Sequence, residues 1–145
     1  PLGPEPRQEY VEVLNWGAET IDLQGFSITD RPESEGDVVP RTALLAPGQR
    51  ALVVGAAFDP DEGSDPAVPP GTPLVRLDGA LGTGGLANRG EPVILRDPAL
   101  RRVSAAPAVG PPAAGVCVVR RSEDPRSGAA SAFATAPCTP GRDSP

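Results

Sequence analysis

The sequence has no histidine, no lysine and no methionine, and only five of its 145 residues are aromatic. Without histidine, Ser-His-Asp and Cys-His nucleophiles cannot be assembled, and zinc sites that use imidazole ligands are excluded. Few aromatic rings leave little material for the sugar-binding surface around the two carboxylates of a glycoside hydrolase. Glu9 and Glu12 are the best placed carboxylates, but strand alternation puts Glu12 on the solvent side. We therefore expect no catalytic residues and no enzyme.

Positive charge is also scarce. All 13 basic residues are arginine, against 19 acidic residues, and the net charge is -6. This balance disfavours nucleic acid, whose binding depends on a basic surface that displaces counterions, and it disfavours a polybasic membrane anchor. No cofactor and no metal ligand is predicted. We expect the acidic loop residues to form a solvated surface, with a calcium-binding loop as the alternative; they are Glu33, Glu35, Asp37, Asp59, Asp61, Glu62 and Asp65.

Proline and glycine are abundant, with 20 and 17 residues, but they cluster between apolar runs instead of interrupting them. Within several runs, apolar and polar residues alternate with the two-residue period of half-buried strands. No window of a dozen residues shows a helical apolar period free of Pro and Gly. The sequence therefore predicts an all-β chain with little or no helix. The predicted strands are about Glu9–Asn15, Phe26–Thr29, Thr42–Leu45, Ala51–Val54, Pro73–Leu77, Val93–Arg96, Arg101–Ala105 and Val116–Arg120, with an irregular chain from Arg121 onward.

Two of the connecting segments have distinctive compositions. Gly55–Gly71 is long, acidic and rich in proline, and we expect it to be the most mobile part of the chain. Gly79–Gly85 is rich in glycine, but no lysine follows it and it does not join a strand to a helix. We therefore interpret Gly79–Gly85 as a tight connection and not as a phosphate-binding loop. Asn88–Glu91 and Asp97–Leu100 are predicted turns.

The two cysteines, Cys117 and Cys138, form an even set in a chain without histidine ligands. This pattern favours a disulfide, which would contribute about 3 kcal/mol by restricting the unfolded chain. Two unrelated buried thiols are the alternative. A disulfide would place the protein outside the reducing cytosol.

Several stretches occur in a characteristic order: Tyr-Val-Glu-Val-Leu-Asn at 10–15, Ile-Asp-Leu-Gln-Gly-Phe-Ser-Ile-Thr-Asp at 21–30, Leu-Ala-Pro-Gly-Gln at 45–49, and Leu-Ala-Asn-Arg-Gly-Glu at 86–91 with Val-Ile-Leu-Arg-Asp at 93–97. In this order and spacing, Glu9 to Ser104 resembles a lamin tail domain. The resemblance implies an immunoglobulin-like antiparallel β-sandwich without catalytic residues. It also implies a core of Val11, Val13, Phe26, Ile28, Leu52, Val54, Val93 and Leu95, with turns at Asn15, Gly25, Gly48 and Gly90.

Members of this family usually carry one more strand before Glu9. That strand is not found in this sequence, so we expect an unpaired sheet edge. The chain starts at Pro1 without an initiator methionine, a signal peptide or a membrane-spanning apolar run, and we expect it to be a piece of a longer protein. We assign residues 1–106 to the lamin-tail-like sandwich, and residues 107–145 to a Pro/Ala linker, a final short strand and an irregular tail.

The resemblance, together with the cysteine pair, predicts a non-catalytic binding or scaffolding module of a larger bacterial secreted or surface protein. The alternative is an accessory domain of a secreted hydrolase, or such a hydrolase itself; a spacer without any partner is a third hypothesis. The expected partner is a protein or a cell-surface polymer, and the expected location is extracellular, on the cell surface or periplasmic. We expect binding through the loops Asp30–Arg41 and Phe58–Thr72, or at the unpaired sheet edge.

Overall fold

A computed structural model of the chain describes residues 2–63, 66–82, 84–87, 89–110, 112–121 and 126–142. Within these ranges the protein is all-β, as predicted, and its helical structure is one 3-10 turn at Ala130–Ala132. The strands are β1 Tyr10–Leu14, β2 Ile21–Asp22, β3 Ser27–Thr29, β4 Asp37–Val38, β5 Leu44–Leu45, β6 Arg50–Val54, β7 Leu74–Arg76, β8 Val93–Arg96, β9 Arg102–Ala106, β10 Val116–Arg120 and β11 Phe133–Pro137.

Two larger sheets form the body of the protein. One has the strand order β4-β3-β8-β9 and is antiparallel throughout. The other has the order β1-β6-β7, in which β1 and β6 are antiparallel while β6 and β7 are parallel. Two short ladders, β2–β5 and β10–β11, complete the described structure. The larger sheets face each other across a common apolar core, which is a sandwich arrangement.

The core between the sheets contains Ile28 from one layer, and Ala51, Val53 and Val75 from the other. The strand β6 is buried on both faces, as its nearly continuous apolar run predicts: Ala51 and Val53 face the opposite sheet, and the alternate residues face outward. Of the residues predicted for the core, Ile28 is buried there, and five others pack against it as partly buried side chains: Val11, Val13, Phe26, Val93 and Leu95.

The other two predicted core residues, Leu52 and Val54, lie on the outer face of β6, in a second apolar cluster. Phe58 covers this face, with Val68 packed alongside. Both come from the long segment that follows β6, which was expected to be a mobile loop. Its described part therefore supplies the apolar cover of the sheet.

The expectation of an irregular chain after Arg121 is wrong. Residues 133–137 form β11, which pairs antiparallel with β10 from Val116 opposite Pro137 to Arg120 opposite Phe133. Phe133 is the one large apolar side chain of β11 and is 8% exposed. Because the rest of β11 is alanine, threonine and proline, the sequence has little of the alternation that predicts a strand. The disulfide between Cys117 and Cys138 joins β10 to the residue that follows β11, with Cα atoms 5.0 Å apart.

The β10–β11 hairpin packs against both larger sheets. The Tyr10 hydroxyl lies 3.2 Å from the Cys117 sulfur. Toward the other sheet, the Arg120 guanidinium donates to the Ser104 hydroxyl at 3.1 Å and to the Ala105 carbonyl at 3.0 Å. Since β1 and β9 are edge strands of their sheets in the described structure, the hairpin covers one open side of the sandwich.

The strand β1 hydrogen-bonds only to β6 within the described ladders, so it is a sheet edge, as expected. Glu12 on this strand does not face open solvent, which corrects the prediction. Its carboxylate is 21% exposed, pairs with the Arg50 guanidinium at 3.0 Å and accepts the Gly141 NH at 2.8 Å. Glu12 therefore fastens the chain after β11 to the edge strand.

Candidate functional site

The glycine-rich connection after β7 is held by carboxylates of the chain itself. The Gly82 NH donates to Asp37 Oδ2 at 2.8 Å, and the Leu86 NH donates to Glu9 Oε2 at 2.8 Å. The next amide, that of Ala87, donates to a Glu91 carboxylate oxygen at 2.9 Å. Because these amides bind internal carboxylates, they are not directed at a phosphate. This geometry agrees with the interpretation of the segment as a structural connection.

Two of these carboxyl groups have raised pKa values. Burial raises the pKa of Glu9, which is 5% exposed, while the hydrogen bond from the Leu86 NH lowers it; the nearby charges of Glu5 and Glu91 raise it further. Burial also raises the pKa of Asp37, with an opposing contribution from the Gly82 NH and an added increase from the charge of Asp30. Carboxylates thus crowd this end of the sandwich.

Glu9→Gln tests the cost of the buried charge. A folded-state pKa above the ordinary value means that protonated Glu9 stabilises the fold at low pH, and that this stabilisation is lost as pH rises through the folded pKa. Glutamine keeps an oxygen that can accept the Leu86 NH but does not ionise. We expect Glu9→Gln to increase the free energy of unfolding, relative to wild type, by more at pH 7 than at pH 4, as measured by urea denaturation.

Glu33→Gln is the matched control for this measurement, because Glu33 is exposed and the substitution changes the net charge equally. Its effect should be small and similar at the two pH values. An equal effect of Glu9→Gln at pH 4 and pH 7 would contradict the assignment of a raised pKa to Glu9.

Large apolar side chains are exposed at the end of the sandwich opposite the glycine-rich connection. Single exposed apolar residues are ordinary, but a group of them around one end indicates an interaction surface. We call this group the turn end. It consists of Leu14 (40% exposed), Trp16 (55%), Val38 (51%), Leu44 (61%) and Leu100 (43%).

Strand pairing places these residues at the same end. Leu14 is the last residue of β1 and is paired with the first residue of β6, and Leu44 lies in β5, shortly before β6. In the other sheet, Ser27 at the start of β3 is paired with Val38 on one side and with Arg96, the last residue of β8, on the other. The turn that contains Leu100 follows β8 directly. The β2–β5 ladder, with the bond from the Gly25 NH to the Val39 carbonyl at 3.0 Å, connects these two groups of strand ends.

Leu100 has a backbone conformation that is unfavourable for leucine. Its φ is +61°, in the left-handed region that glycine adopts readily and other residues adopt at a cost of about 1–2 kcal/mol. Asp97 fixes the turn: one carboxylate oxygen accepts the Ala99 and Arg101 amides, and the other accepts the Arg101 guanidinium at 2.7 Å. The Arg101 side chain accordingly lowers the pKa of Asp97. The turn thus holds an exposed leucine where glycine would be easier to accommodate.

Trp16 contributes an aromatic ring to the turn end. The Arg126 guanidinium lies 4.7 Å from the ring centroid, within the range of a cation–π interaction. Arg126 belongs to the segment between β10 and β11, so the ring also connects the hairpin to the loop after β1. A half-exposed tryptophan stacked with arginine is a common composition for an interface hot spot.

The loops that the sequence predicts as binding surfaces are fastened to the body. In 30–41, the Ser27 hydroxyl donates to the Glu35 carbonyl at 2.6 Å, and the Arg96 guanidinium donates to the Pro32 carbonyl at 2.6 Å. In 58–72, Phe58 is buried and the Gln8 amide donates to the Asp59 carbonyl at 2.9 Å. Asp65 and Asn88, named in the predicted acidic loop and turn, lie outside the described residues.

The sequence did not identify the turn end as a surface. The available signals were the single tryptophan and the Asp97–Leu100 turn, but neither reveals the exposure of Leu14 or Leu44. Their exposure follows from strand register, since the two-residue β2 and β5 leave one face of Leu44 uncovered. Among the described residues no three His, Cys, Asp or Glu side chains gather as a potential metal-binding set.

A shallow groove of about 240 Å³ lies between the N-terminal segment and the chain after β6 and β7, lined by Pro6, Arg7, Gly55, Ala56, Ala57, Gly79 and Ala80, with no carboxylate. In the part of the chain that the structure describes, no helix has the length and apolar character needed to cross a bilayer.

Comparisons with protein families, curated proteins and solved structures give no match to this chain.

Proposed function

We propose that this chain is a non-catalytic binding or scaffolding module with an immunoglobulin-like β-sandwich of the lamin-tail type, belonging to a larger bacterial secreted or surface protein. The motifs between Glu9 and Ser104 support the family, and the all-β layered architecture is compatible with it. The disulfide supports a location in an oxidising compartment. The partner is a protein or a cell-surface polymer.

The observation that carries the binding role is the turn end. Trp16 and Leu100 are both about half exposed, and Leu100 occupies a conformation that costs free energy. The hydrogen bonds at Leu100 involve its backbone NH and carbonyl, while its side chain is exposed; a side chain kept at a strained position is expected where it serves an interaction. An exposed aromatic ring with neighbouring leucines suits the apolar centre of an interface.

The rival hypothesis is a hydrolase, which requires carboxylates that converge on a cleft. The carboxylates of Glu9, which is buried, and of Asp37, which is half-buried, are instead directed at amides of the connection after β7. The groove beside Gly79 is lined by small side chains and Arg7. These observations favour the binding role over hydrolysis, while an accessory role beside a separate hydrolase domain is compatible with it.

Trp16→Ala tests the proposed function. The full chain is immobilised and exposed to the extracellular fraction of the producing organism, and retained proteins and polysaccharides are quantified. We expect at least a tenfold loss of the retained partner, because truncation of a hot-spot tryptophan costs about 2 kcal/mol or more.

Leu2→Ala is the matched control. Leu2 is 56% exposed, similar to Trp16, but it precedes β1 and packs beside Gly115, away from the turn end. The control should retain the partner as well as wild type does. Equal retention by Trp16→Ala and wild type, with matched melting temperatures, would show that the turn end is not the binding surface.

A further inference from the structure

The sandwich fixes the backbone around Trp16 but not the ring. The Asn15 side-chain amide donates to the Leu45 carbonyl at 2.8 Å, and its oxygen accepts the Gly17 NH at 3.0 Å. The Trp16 side chain, in contrast, is 55% exposed and, among the described residues, belongs to neither apolar cluster of the sandwich. A further contact is therefore needed to hold the ring in one orientation.

Arg126 supplies this contact. Its guanidinium lies over the Trp16 ring, with the central carbon 4.7 Å from the ring centroid. A planar guanidinium stacks flat on an aromatic face and is attracted to it electrostatically. Trp16 remains 55% exposed with this contact in place, so Arg126 supports the ring without enclosing it.

The segment that carries Arg126 is itself anchored to the sandwich. The Arg120 guanidinium donates to the carbonyl of Ser127, the residue after Arg126, and to two groups of β9 at 3.0 and 3.1 Å. Arg120 also stacks on the buried Phe133 of β11, 4.5 Å from its centroid. The disulfide closes the other end of this hairpin. A chain of contacts thus connects β9 through Arg120 and Ser127 to the Trp16 ring.

We propose that Arg126 is a positioning residue of the turn end: it holds the Trp16 ring in the orientation that the partner meets, and the β10–β11 hairpin is therefore part of the binding surface. This inference rests on the proposed function. A ring that is already fixed loses less conformational freedom on binding, which increases affinity. Loss of the Arg126 side chain should weaken binding about two- to tenfold, less than loss of the ring itself.

The ring can be observed by itself, because Trp16 is the one tryptophan of the chain. In Arg126→Ala we expect lower tryptophan fluorescence anisotropy and stronger quenching by acrylamide than in wild type, since the ring loses its support and its cover. The melting temperature should change little, because the contact lies at the surface. Arg126→Lys keeps the charge but lacks the planar group, and it should recover part of the wild-type signal.

Retention from the extracellular fraction, measured with the full chain as for Trp16→Ala, is the second readout. Arg126→Ala should retain about two- to tenfold less than wild type, and Arg126→Lys an intermediate amount. Arg121→Ala is the matched control, because it removes the same charge from an exposed position at the end of β10. It should equal wild type in anisotropy, quenching and retention.

Four results would overturn the inference. Unchanged anisotropy and quenching in Arg126→Ala would show that Arg126 does not hold the ring. Equal losses of retention in Arg126→Ala and Arg121→Ala would point to net charge and not to positioning. Retention by Arg126→Ala that equals or exceeds that of wild type, when Trp16→Ala loses the partner, would refute this inference and leave the proposed function intact. Unchanged retention by Trp16→Ala would refute both.

Discussion

Loss of the Cys117–Cys138 disulfide is expected to lower the free energy of unfolding by about 3 kcal/mol, because the link closes a loop with a sequence separation of 21. The link also joins β10 to the residue after β11, and this hairpin lies against β1 and β9. We therefore expect its loss to affect the whole sandwich and not only the end of the chain. The measurement is urea denaturation of the Cys117→Ala/Cys138→Ala double variant and of oxidised wild type.

Reduced wild type provides the control for packing, since it breaks the link but keeps both sulfur atoms. Reduction and double substitution should cost similar free energies, with the double variant slightly worse because Cys138 is 4% exposed and packed. A change below about 1 kcal/mol in both samples would show that the hairpin is not coupled to the sandwich.

Ile28→Ala is expected to cost about 2–5 kcal/mol, the range for truncating a large aliphatic side chain in a packed core. Ile28 is 1% exposed, lies at the centre of β3 and is paired with Leu95 of β8. Its removal leaves a cavity between the two sheets that either layer can fill only by moving toward the other. Urea denaturation monitored by circular dichroism measures the loss.

Val103→Ala is the control for the core substitution. Val103 lies on β9 of the same sheet but is 52% exposed, so its truncation removes little buried area and should cost less than about 0.5 kcal/mol. If Ile28→Ala were as mild as Val103→Ala, the two sheets would not share the core described above.

The strands that carry the core could be predicted because their pattern is local. The continuous run at Ala51–Val54 indicated a strand covered on both sides, and the short apolar run predicted as Val93–Arg96 has the same bounds as β8. The two-residue strands β2 and β4 and the alanine-rich β11 are too short or too weakly apolar to show a period, and their pairing partners define them.

The roles of the acidic residues could not be predicted, because they depend on distant contacts. The Glu9 carboxylate accepts a hydrogen bond from the Leu86 NH, 77 positions further along the chain. The Glu12 carboxylate accepts one from the Gly141 NH, 129 positions away. The same holds for the two ends of the sandwich. The sequence indicated a turn at Asp97–Leu100, but the positive φ of Leu100 and the exposed ring of Trp16 follow from the register and packing of the strands.

The retention experiment with an added Leu100→Gly variant tests the central claim, that the turn end is a binding surface, most directly. Because glycine relieves the left-handed strain, the variant should have a free energy of unfolding about 1 kcal/mol higher than wild type. It should nevertheless retain less of the partner. A more stable protein that binds less is the result we expect. A Leu100→Gly variant that retains the partner as fully as wild type, together with unchanged retention by Trp16→Ala, would contradict the claim.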